Sequence, residues 1–126
     1  MNKFAALKQY QSVGIQAQVF EASPHRLIQM LMEGAMSSIA QARGALGRSQ
    51  TALKGQAISK AVSIIGGLQA ALDMEKGGEI AENLNRLYSY ISSRLVEASA
   101  KNSVELLDEA GLLLSEIKTG WDAISR

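Results

Sequence analysis

The sequence predicts an all-α fold, an antiparallel up-down four-helix bundle with a short N-terminal helical arm. Three observations carry that expectation. Apolar residues recur at spacings of three and four along most of the chain. No segment alternates with the period of two that a half-buried strand needs. A chain of 126 residues is enough for one domain with one core and leaves little room for a second. The expected organisation is a single domain over 1–126, with an arm at 1–22 and the bundle at 23–126.

The only proline, Pro24, follows Ser23, a pair that reads as N-cap and first helical residue, where proline's missing N–H and fixed φ cost nothing. From there Ile28, Leu31, Ala35, Ile39, Ala42 and Leu46 fall in one arc, which predicts a first helix ending near Gly44, Gly47 and Ser49. Ala57, Ala61, Ile64, Leu68 and Leu72 share a face of a second helix from about Thr51 to Met74, with Lys76-Gly77-Gly78 as its C-cap and turn. A third helix, Glu79 to about Ala100, aligns Ile80, Leu84, Leu87, Ile91 and Leu95 as a core arc. After Asn102, Ser103 is the expected N-cap of a fourth, whose apolar arc runs from Leu106 and Leu107 through Ala110, Leu113, Leu114 and Ile117 to Trp121 and Ile124. Four helices of about 22 residues, each about 33 Å long and joined by short turns, pack as antiparallel neighbours. The arm contributes Phe4, Leu7 and Tyr10 as a short helical stripe.

Composition narrows the function. Hydrophobic residues are 47% of the chain and charged residues 20%, which suits a folded protein and not a disordered one. A formal charge of +1 supplies no overall field for nucleic acid. Residues 1–60 carry seven basic and two acidic side chains, whereas 61–126 carry six basic and ten acidic, a polarity that can orient a partner. There is no cysteine, so disulfides and thiol chemistry are excluded. The N-terminus lacks the apolar run of a secretory signal, and no stretch approaches the ~20 residues that span a bilayer. A cytoplasmic protein without membrane insertion is expected.

Chemistry-bearing motifs are absent. His25 is the sole histidine, which rules out a paired-histidine metal site or a Glu-x-x-His di-iron site. Residues 73–84 imitate a calcium loop, with Asp73, Glu75 and Gly78 in place, but Leu84 stands where the bidentate glutamate belongs. No catalytic residue, metal or cofactor is expected.

The functional clue is apolar surface beyond what a bundle seam needs. On the second helix Ile58, Val62 and Ile65 widen the apolar band to about 180°, where a seam takes about 100°. On the third helix Ala81, Tyr88 and Ser92 flank the core arc as small residues around one polar-tipped aromatic. Met32 and Met36 flank the first helix with adaptable thioethers. These residues are the expected partner-binding face, and Ile65→Asp is expected to leave the bundle folded while abolishing binding. Helical glycines Gly34, Gly66, Gly67 and Gly111 suggest close approach by a neighbouring or a bound helix. A self-associating regulatory or scaffolding bundle is the competing reading of the same apolar band.

Specific residues carry a family resemblance. Ser23-Pro24-His25-Arg26-Leu27-Ile28-Gln29-Met30-Leu31, Gly34-Ala35, Ile58-Ser59-Lys60-Ala61 with Ile64-Ile65, and above all Leu72-Asp73 through Glu75-Lys76-Gly77-Gly78-Glu79-Ile80-Ala81 to Asn83-Leu84, Leu87-Tyr88 and Tyr90 resemble the flagellin-specific secretion chaperones of bacterial flagella. The likeness continues through Leu113-Leu114, Glu116-Ile117 and Trp121. Met32-Glu33 stands where the family usually has Tyr-Asp, and Glu21 where a Thr is common. The resemblance implies a monomeric bundle that binds the disordered C-terminal segment of flagellin one-to-one in the cytoplasm. It implies that the client is kept from premature polymerisation and handed to the flagellar type III export gate. It also implies that Leu7 and Tyr10 take part in client and gate contact. In the free protein the arm is expected to cover part of the apolar groove until the client displaces it.

Overall fold

Ser23 Oγ accepts the backbone N–H of Arg26 at 3.1 Å, and Pro24 occupies the first helical position. This is the N-cap geometry that the Ser-Pro pair predicts. The computed structural model describes residues 22–124, and the arm residues Phe4, Leu7 and Tyr10 lie outside them. Helix α1 spans Pro24–Gly47, α2 Thr51–Ala70, α3 Met74–Lys101 and α4 Val104–Asp122. No strand occurs among the described residues. Each helix packs against two others, α1 on α2 and α4, and α3 on α2 and α4. The short connections make these neighbours antiparallel, so the four helices close an up-down ring around one core.

One boundary differs from the sequence expectation. The second helix stops at Ala70, and Asp73 opens the next helix by accepting the N–H of Lys76 on its side chain at 3.0 Å. A single turn forms before Gly78 leaves helical geometry at φ 51°, ψ −126°, after which α3 resumes. The Gly-Gly pair is therefore a kink inside α3. Gly78 supplies the positive φ, and a Cβ on Gly77 would lie 2.6 Å from that of Ala81. The carboxylate that imitates a calcium ligand is a helix cap.

The core is filled by Met32, Ile64, Ile65, Leu68, Ile91, Leu95, Leu107 and Leu114, all enclosed. At the loop end shared by α1–α2 and α3–α4, the buried Lys54 crosses from α2 to close the end of α3. Its Nζ donates to the carbonyl of Ser99 at 2.9 Å and to Oδ1 of Asn102 at 2.7 Å. Asn102 is itself left-handed, at φ 53°. A cation there also complements the negative end of the helix dipole. Of the helical glycines, Gly34 and Gly111 face neighbours at ordinary contact distance, whereas a Cβ on Gly66 or Gly67 would meet nothing within 4 Å.

Candidate functional site: an apolar cavity at the open end of the bundle

The buried stripe of α3 runs through Ala81, Tyr88, Ile91, Leu95 and Ala98, one position on from Ile80 and Leu87. Leu84, Ile91 and Leu95 pack into the core or against it, but Ile80 is 72% exposed and Leu87 also lies on the surface. Ile124, just beyond α4, is 42% exposed. Ile80 and Ile124 flank a cavity of about 380 Å³ bounded by α1, the end of α2, the start of α3 and the end of α4. Its inner wall is buried Met32, Leu68 and Tyr88, and its flanks are half-buried Ile28, Leu72, Leu84, Ile117 and Trp121. Among the described residues, Glu116 is the one charged side chain lining it. An opening of this size exceeds twice the ~150 Å³ that admits a benzene ring, so it has room for more than one large apolar side chain.

Polar contacts hold the flank formed by α1 and α4. Trp121 stacks on His25 with ring centroids 4.9 Å apart and donates its indole N–H to the carbonyl of His25 at 3.0 Å. Gln29 donates to Asp122 at 2.7 Å, and Lys118 bridges Asp122 at 2.6 Å and Glu33 at 3.8 Å. The hydrogen bond from Lys118, followed by that from Gln29, holds the Asp122 carboxyl below its usual range. Burial pushes the Tyr88 phenol up to about 12, so it stays protonated at physiological pH. On the far face, Tyr90 donates to Glu109 at 2.5 Å and ties α3 to α4.

The expected partner-binding face divides accordingly. Met32 and Tyr88 meet in the cavity wall. Ile58 and Ile65 are sealed in the core, Ile65 with 0% exposure, and Val62 is half-buried against it. The second helix therefore has no exposed apolar band of the expected kind, because packing against both α1 and α3 consumes the wide arc. Ala81 is buried and Ser92 half-buried on α3. Met36 borders a shallower depression of about 270 Å³ between α1 and α4, beside exposed Leu112. Leu7 and Tyr10 lie outside the described residues. Periodicity alone places Ile80 and Ile124 in core arcs, whereas both are exposed. The signal that marks Ile80 as rim is the parallel stripe Ala81, Tyr88 and Leu95 one position on, which is the one that packs inward.

No group of three His, Asp or Glu side chains able to hold a metal occurs among the described residues. None of the described helices is long and apolar enough to cross a membrane.

The family described as "Flagellar protein FliS" matches residues 6–126. This chain belongs to the FliS family. Flagellar secretion chaperone FliSB of Pseudomonas aeruginosa is 58% identical over 125 residues, covering 99% of each chain. Flagellar secretion chaperone FliS of Salmonella typhimurium is 45% identical over 96% of this chain and 90% of its own length. That of Vibrio cholerae is 38% identical over 94% and 88%. FliS membership accords with the expected resemblance.

Proposed function

We propose that this chain is a cytoplasmic export chaperone that binds the disordered C-terminal segment of flagellin, prevents its premature polymerisation and delivers it to the flagellar type III export gate. The cavity is the seat of one helical piece of that client. The observation that carries this reading is an apolar opening with Ile80 and Ile124 presented on its rim, on a chain of the FliS family. A client that orders on binding loses about 2 to 5 kcal/mol, and each fully buried Leu or Ile returns about 1.5 to 3 kcal/mol. Two or three anchors in the cavity offset that cost, and contacts elsewhere on the bundle add to it. Helix-in-groove recognition with anchors at i, i+3, i+4 and i+7 suits such a site.

The arm remains part of the proposal. The described chain begins at Ala22, which packs against the core, and three residues later His25 stacks on the Trp121 wall of the cavity. Leu7 and Tyr10 lie outside the described residues, and the proposal keeps for them the contact with client and export gate that the family resemblance implies.

Calorimetric titration of the protein with a flagellin C-terminal peptide tests the reading. One-to-one binding with a large negative heat-capacity change is expected. No heat of binding, together with a mass that doubles with concentration in light scattering, would instead support self-association through the apolar rim.

A further inference from the structure

The inner wall of the cavity, set by Met32, Leu68 and Tyr88, contains a polar group that the fold leaves unused. Tyr88 is 2% exposed, and its hydroxyl has no hydrogen-bond partner among the described residues, where Tyr90 next along the helix has Glu109. Among the described residues, the sealed side-chain polar atoms without a partner are His25 Nδ1 and Arg94 Nε. The Tyr88 hydroxyl is not one of them, so it keeps contact with solvent. Tyr88 is one of the residues that line the cavity. The rest of the inner wall, Met32 and Leu68, offers only hydrocarbon and a thioether.

We infer that Tyr88 is a specificity-determining residue of the cavity, its hydroxyl donating to an acceptor oxygen that the bound segment carries in among its apolar anchors. This rests on the cavity being the client's seat. An occupant presenting only hydrocarbon at that depth strips water from the hydroxyl and replaces it with nothing, a loss comparable to that of an orphaned buried donor. An occupant with an oxygen opposite Tyr88 avoids the loss, so the cavity discriminates among equally greasy segments. Burial keeps the phenol protonated, which makes it a donor at working pH. The oxygen has two sources of the same chemistry: a polar side chain of the client, or a main-chain carbonyl left free where the client's helix ends.

Tyr88→Phe removes the hydroxyl and keeps the ring. Its melting temperature is expected to stay within a few degrees of the parent's, since the hydroxyl has no partner within the described fold to lose. Its affinity for the flagellin C-terminal peptide is expected to fall about 5- to 30-fold, the range that one or two kcal/mol represents. Equal or tighter binding by Tyr88→Phe overturns the assignment. Ile80→Asp, measured beside it, separates the two levels. Loss of binding in Ile80→Asp with none in Tyr88→Phe overturns the role of Tyr88 alone, and no loss in either overturns the cavity as the seat as well. Peptides with each polar side chain changed to Ala then close a double-mutant cycle. One substitution that abolishes the difference between Tyr and Phe names a side-chain oxygen, and a difference that survives all of them names a main-chain carbonyl.

Discussion

The indole N–H of Trp121 donates to the carbonyl oxygen of His25 at 3.0 Å, while the two rings lie stacked at 4.9 Å with 13° between their planes. The bond spans almost the whole described chain, from the first turn of α1 to the last of α4. It uses a carbonyl at the point where the arm joins the bundle and sets one wall of the cavity.

Trp121→Ala removes both the stack and the bond. Because Trp121 is half-buried, the expected loss is about 2 to 3 kcal/mol, below the range for a fully buried tryptophan. Urea unfolding followed by circular dichroism measures it. A loss under 0.5 kcal/mol would show that the clasp adds nothing to the fold.

Ile80→Asp and Ile65→Asp are expected to part company. Ile80 is largely exposed, so its substitution leaves stability within about 0.5 kcal/mol and weakens peptide binding at least tenfold. Ile65 is enclosed, and a carboxylate there costs upwards of 3 kcal/mol and unfolds much of the population. Melting curves of the two variants decide the point.

Gly66→Ala is expected to stabilise the protein. The residue sits inside α2 with open space where a Cβ would go, so the helix gains about 0.5 to 1 kcal/mol without a clash. The melting temperature should rise by a few degrees. If peptide affinity drops at the same time, the client's backbone passes close to this face.

Two pH limbs are expected, with opposite signs. Hydrogen bonds from Lys118 to Asp122 and from Arg43 to Asp108 hold both carboxyls below their usual range. Their contribution is present above about pH 4 and fades as pH falls through the lower folded values. Asp108→Asn should flatten part of the acid limb below about pH 4. The Tyr88 phenol is raised to about 12, so its contribution is complete below about pH 10 and is lost as pH climbs toward 12. Tyr88→Phe should therefore flatten the alkaline limb over that interval, as read from unfolding free energies against pH.

Local chemistry was legible in the sequence wherever neighbours along the chain decide it. The Ser23-Pro24 start, the Ser103 cap and the core arcs of the first and fourth helices depend on residues a turn apart. The four-helix count follows from them. At Asp73 two local signals competed, and the side-chain cap at Lys76 prevailed over the Gly-Gly turn because it begins a helix that the kink then bends without ending.

What the sequence by itself determined is the set of helices and their antiparallel order, both properties of spacing and residue type. Which apolar side chains are left over was decided only by the tertiary structure. A 180° band on a helix is surplus beside one neighbour and core beside two, so Ile58 and Ile65 disappear inward. On α3 the packed stripe centres on Ala81, Tyr88 and Leu95, which leaves Ile80 and Leu87 on its edge although their spacing places them with Leu84 and Ile91. Burial is a property of what packs across from a residue, and that partner is distant in the chain.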